Sequence, residues 1–102
     1  MGYDDHSEYP RGISTGDLTA KATVFANATT NKIAWILLSN TNVAIQTVLL
    51  QTVGGTADIA AGILVPPGDS FIVPAFETAD GLEIDMAAPT ADVTFTVVYW
   101  TT

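Results

Sequence analysis

Glu77, Asp80, Glu83 and Asp85 lie within nine residues of one another and form the densest group of chemically capable side chains in the sequence. Carboxylates this close suit two tasks, oxygen ligation of Ca²⁺ or the paired acid and base that cleave a glycosidic bond. The spacing matches no calcium loop, because the D-x-[DN]-x-[DN]-G run is missing. Glu83 and Asp85 also alternate with Leu82, Ile84 and Met86, which is the pattern of a strand with one solvated face. The sole histidine, His6, stands in a polar N-terminal stretch. It has neither the companion ligands of a zinc site nor a scaffold to hold it against a nucleophile. With no cysteine there is no thiol chemistry and no disulfide framework. Gly54-Gly55 lacks the Lys-Ser/Thr of a phosphate loop and reads as a turn. The expectation is a chain that is not an enzyme and has no catalytic residue, no metal and no cofactor.

Charge narrows the partners. The 102 residues carry 11 acids against three bases, Arg11, Lys21 and Lys32, for a net charge of −8. No base follows Lys32, whereas seven acids do. A phosphate backbone or an anionic membrane surface is a poor match for such a chain. The longest apolar run, residues 33–38, is far shorter than the ~20 residues that span a bilayer. The first 18 residues lack the apolar stretch of a secretion signal. Synthesis in a cytoplasm is expected.

The elements that must position these groups divide near residue 18. Residues 1–18 are polar and interrupted by Pro10, Gly12 and Gly16, and read as an extended N-terminal arm. Residues 19–102 read as one folded body, rich in the β-branched residues that suit a pleated sheet. Strands are expected over residues 20–26, 33–39, 43–53, 59–65, 70–73, 82–86 and 92–101, with a tight connection at Asn40-Thr41-Asn42. The alternation of the third segment changes phase near Thr47, which predicts a bulge there or burial on both faces. Short strands with turn signals every eight to twelve residues predict an all-β antiparallel β-sandwich, jelly-roll-like or Ig-like.

Aromatic residues supply the candidate contacts. Trp35 lies inside an apolar run and is expected in the core. Trp100 points away from the face that carries Val93, Phe95, Val97 and Tyr99. Three roles suit it: a second core face, a subunit interface or a sugar-stacking platform. The arm has too little apolar surface to fold alone, so Tyr3, Tyr9, Arg11 and Ile13 are expected to order against a neighbour.

The run from Ile63 to Tyr99 resembles the small virion proteins of tailed bacteriophages. Leu64 and Val65 precede Pro67-Gly68; Asp69, Ser70 and a short strand, 71–73, follow. A glycine-led strand from Gly81 to Ile84 comes next, then a small-residue turn and a Val/Thr-rich terminal strand. The earlier Trp35-Ile-Leu-Leu-Ser-Asn-Thr-Asn stretch is similar to the start of the same proteins, so the resemblance covers residues 20–101. It implies a capsid decoration (cement) protein localised to the virion. The partners it implies are a major capsid protein or another virion protein, and copies of itself, with a homotrimer favoured. The alternative is a tail-fibre or baseplate module that recognises a host surface glycan.

Overall fold

The computed structural model describes residues 11–26, 31–53 and 58–100. These form nine β-strands. The first four are β1 (Arg11–Leu18), β2 (Ala22–Phe25), β3 (Asn31–Asn40) and β4 (Gln46–Gln51). The rest are β5 (Asp58–Val65), β6 (Asp69–Val73), β7 (Phe76–Thr78), β8 (Leu82–Met86) and β9 (Thr90–Trp100).

Their pairings are nested. β4 pairs with β5, β3 with β6 and β7, β2 with β8 and β1 with β9, all antiparallel. This is one long ribbon folded in half, with its tip between β4 and β5. Rolling the ribbon adds two further pairings, β9 with β3 and β8 with β4. One sheet then runs β1-β9-β3-β6, with β7 also on β3, and the other runs β2-β8-β4-β5. That order is a jelly roll. An immunoglobulin sandwich keeps its first two strands in one sheet, whereas here β1 and β2 lie in different sheets.

Residues 11–18, expected as part of an arm, are a sheet strand instead. Arg11 to Asp17 pair without interruption against Trp100 back to Thr94. Gly12 and Gly16, which look like breakers in the sequence, are what lets this edge close. They lie opposite Tyr99 and Phe95, whose rings fill the space where a Cβ would stand. At Gly16 a Cβ would come within 2.9 Å of the Phe95 ring. An aromatic ring laid over an edge glycine restores the packing that the glycine lacks.

The core lies between the sheets. Val93, Phe95 and Val97 of β9 and Ile33, Ile36 and Leu38 of β3 face Leu82, Ile84 and Met86 of β8 and Val48 and Leu50 of β4. At one end the rings of Phe25 and Tyr99 meet edge-to-face with centroids 4.7 Å apart, tying β2 to β9 across the sandwich.

Two phase expectations change. Trp35, expected in the core, is 40% exposed. The register of β3 against β9 shifts between Ile33 and Trp35, so Ile33 and Ile36 both point inward and Trp35 points out. The irregularity expected near Thr47 belongs to the partner strand. Val48 and Leu50 stay on one face, while β5 inserts an extra residue beside Gly62 between Ile63 and Ala60. Gly62 has φ of 74°, the left-handed conformation that a glycine bulge uses.

Both halves of the ribbon pass between the sheets at one corner, and Asn40 occupies it. Asn40 is 1% exposed. Its Nδ2 donates to the carbonyls of Ala44 and Val65, each at 2.9 Å. Its Oδ1 accepts the Asn42 N–H at 2.8 Å, and its main-chain carbonyl accepts the Gly68 N–H at 2.8 Å. The turn beyond it closes with the Asp69 N–H on the Pro66 carbonyl at 3.2 Å. Asn40→Leu keeps the volume but strips partners from two carbonyls and one amide. The expected loss is about 3 kcal/mol of stability, read from urea unfolding. A loss below about 1 kcal/mol would show that water replaces the carboxamide and that the corner does not need it.

Candidate functional site

The outer face of the five-stranded sheet carries an apolar row. Register places Ile13 of β1, Val98 of β9 and Trp35 of β3 side by side, and Leu37 beside Ile72 of β6 one step along. Ile13 is 67% exposed, Trp35 40% and Ile72 63%, while Val98, in the middle of the row, is only 5% exposed. Hydroxyl residues flank it on the same face, with the Ser39 and Ser70 oxygens 3.1 Å apart. A contiguous apolar stripe with a polar rim and a tryptophan near its centre has the composition of a contact surface.

Beside the row lies a shallow, open depression of about 390 Å³, lined by Lys32, Ile33, Ala75, Phe76, Glu77 and Trp100. Lys32 pairs with Trp100 on one side and Glu77 on the other. Half-buried Trp100 is on the outer face and stands outside the core cluster, so the second-core role does not apply to it. An aromatic ring flanked by a cation and a carboxylate offers both a stacking face and hydrogen-bonding groups.

The structure brings Ile13, Trp100 and the backbone position of Arg11 to one end of the sheet, since Arg11 pairs with Trp100 and Ile13 with Val98. Tyr3 and Tyr9 lie outside the described residues. Trp35 and Ile72 are the contact candidates that sequence reasoning misses. Trp35 is hidden by the β3 bulge, and Ile72 by the shortness of β6, which leaves too few residues to show a phase.

The four acids separate. Glu77 lies on β7, Asp80 in the turn that follows and Glu83 and Asp85 on β8, in the other sheet. Among the described residues no three acidic or histidine side chains converge on a point that would hold a metal. Asp85 turns back on its own strand, its Oδ1 accepting the Met86 N–H at 2.8 Å. Glu83 departs from the solvated-face expectation. It is 4% exposed, flanked by β2 and β4, with Oε2 3.8 Å from Lys21 Nζ and no hydrogen-bond partner for Oε1.

Asp17 is held below its ordinary value of 3.8 by the Thr19 hydroxyl at 2.7 Å and then by the Thr19 N–H at 3.2 Å. A depressed carboxyl contributes stability above its unfolded value, and that contribution is lost as pH falls through the folded one. Asp17 is therefore an ionised, positioned group at neutral pH.

No family model matches the chain, and no curated protein matches it in sequence. Among solved structures it is similar to the core of a Drosophila NLP described for pentamer formation and histone binding. That match has a TM-score of 0.54 at 12% identity and covers 91% of this chain and 97% of the other. It is also similar to a Bacillus endospore appendage protein of disulfide-linked pili, with a TM-score of 0.42, 19% identity and coverage of 92% and 91%. The capsular polysaccharide assembling protein CapF of Staphylococcus aureus gives a TM-score of 0.42 at 9% identity, with this chain spanning 23% of it. At these identities the likeness is one of fold. No helix among the described residues is long and apolar enough to cross a membrane.

The buried carboxylate sets an asymmetry between two substitutions. Removing the cation, as in Lys21→Met, leaves Glu83 uncompensated. The expected cost is about 1 kcal/mol, reduced from a fully buried pair because Lys21 is half exposed. Glu83→Gln removes the charge itself and is expected to be neutral or stabilising in chemical denaturation. Equal losses for both variants would rule out Lys21 as the group that offsets this charge.

Proposed function

We propose that this chain is a structural protein of a phage virion, a decoration subunit that binds the assembled shell through the outer face of its five-stranded sheet. The observation that carries the reading is the outer-face apolar row in which Ile13, Trp35 and Ile72 are exposed around the buried Val98 and half-buried Leu37; it crosses four strands of a sheet whose other face already fills the core. The sequence resemblance over residues 20–101 supplies the shell as the partner. The mechanism is thermodynamic: a protein that binds only the assembled lattice stabilises that state by mass action. Repetition over a symmetric shell turns modest single contacts into high occupancy. A net charge of −8 keeps free copies soluble while the apolar row remains exposed.

A second reading rests on the Trp100 depression. Its lining of Trp100, Lys32 and Glu77 suits a sugar ring, as a fibre or baseplate module that recognises a host glycan would require. Glycan-array binding that is lost in Trp100→Ala but kept in Trp35→Ser would favour this reading over the first.

The test of the first reading uses purified heads that lack the protein. Trp35→Ser combined with Ile72→Ser is expected to lower occupancy at least tenfold, equivalent to about 1.4 kcal/mol, with an unchanged circular dichroism spectrum. Because β1 begins at Arg11, removing residues 1–10 tests Tyr3 and Tyr9 without opening the sheet. That truncation is expected to weaken binding and leave the fold intact. Full occupancy by both variants would overturn the reading.

A further inference from the structure

We infer that two copies of this chain join edge to edge through β1, pairing antiparallel about a two-fold axis at Ser14. The inference is independent of what the joined copies then bind.

The four sheet edges differ in how they are protected. β2 spans four residues, β5 carries the Gly62 bulge, and the edge opposite β1 is divided at Pro74 into β6, of five residues, and β7, of three. Short, bulged or proline-broken edges resist further pairing. β1 is eight residues long, contains no proline and stays regular from Arg11 to Asp17. Among the described residues it pairs only with β9, so a row of its main-chain groups faces outward.

The sequence of this edge, Arg-Gly-Ile-Ser-Thr-Gly-Asp, reads as its own complement. Antiparallel pairing centred on Ser14 places Ile13 opposite Thr15 of the second copy, Gly12 opposite Gly16 and Arg11 opposite Asp17. Two β-branched residues meet on the outer face, while on the inner face the glycines add no side chains of their own and the rings of Tyr99 and Phe95 already lie over them. Both ends of the ribbon bring together opposite charges, and opposite charges directly across a sheet stabilise a pair. Sliding the register by two residues loses the charge match at both ends and the glycine match. Thr19 already fixes Asp17 as an ionised carboxylate at the end of the strand.

Pairing about this axis keeps both outer faces on the same side. Ile13 of each copy then becomes a diagonal neighbour of the other, and the two apolar rows merge into one surface across eight strands. The resulting symmetry is two-fold, in place of the threefold expectation from the sequence resemblance.

Light scattering coupled to size exclusion should give twice the 10.7 kDa chain mass. Asp17→Arg should shift the mass to one chain, and Arg11→Asp combined with Asp17→Arg should restore two. Rescue of this kind separates pairing from misfolding. Asp17→Asn keeps an acceptor for Thr19 and should weaken the dimer while leaving the monomer folded by circular dichroism. Since the chain has no cysteine, Ser14→Cys supplies a single thiol on the axis. It should crosslink two copies under mild oxidation, whereas Thr15→Cys should not. A wild-type mass of one or three chains, or equal crosslinking at both positions, overturns the inference. A dimer that fails to bind heads would leave it standing and strike only the shell reading.

Discussion

A rolled ribbon must pass from one sheet to the other three times in each half, and each passage takes main-chain groups away from their strand partners. At the corner where β3 leads to β4 and β5 leads to β6, the carboxamide of Asn40 supplies those groups from a single buried side chain. It holds Ala44 on one half of the ribbon and Val65 on the other, while its own carbonyl holds Gly68. Buried main-chain groups left without partners would cost more than most single packing contacts contribute. The relative placement of the two sheets, and so the whole core between them, depends on this corner being satisfied. A second corner is closed in the same way on a smaller scale, by the buried Thr78 hydroxyl donating to the Gly81 carbonyl at 2.6 Å.

The same connectivity explains why apolar residues remain outside. β9 is paired on both sides, to β1 and β3, and its inner residues Val93, Phe95 and Val97 are already enclosed. Its outer residues, Val98 and Trp100, have no second layer of strands above them among the described residues. A jelly roll has two layers, so any hydrophobic residue on an outer face is surplus to the core. Here that surplus is concentrated on one sheet, where Ile13, Trp35 and Ile72 line up with Val98 by register and not by chance adjacency in sequence.

Much of this architecture is legible from residue order. The alternation of Leu82, Ile84 and Met86 gives β8 residue for residue, because a central strand between two partners has one fully buried face. The all-β class follows from the Val, Ile and Thr content and the turn spacing, although the nesting of the strands does not. β1 escapes because its two glycines mimic a linker until Tyr99 and Phe95, at the far end of the sequence, are seen to cover them. Trp35 is misplaced because one bulge reverses the phase of the chain, and no local signal marks it. Glu83 illustrates the limit for the acids: alternation identifies its face correctly, but not that the face is covered. Of the expected contact residues, Ile13 and Trp100 do share a surface, since strand parity is readable even where pairing is not.

The outermost pairing of the ribbon has a mechanical consequence. Arg11 and Trp100 face each other at the same end of the β1–β9 pair, so the described chain enters and leaves the sandwich at one point. Tension applied between those two ends would load the ladder one rung at a time, beginning with Arg11–Trp100 and Gly12–Tyr99, as a zip opens. A pull of the same size delivered across the sheet would be shared by many rungs at once. The direction of least mechanical resistance in this pair of strands is therefore the one that separates Arg11 from Trp100.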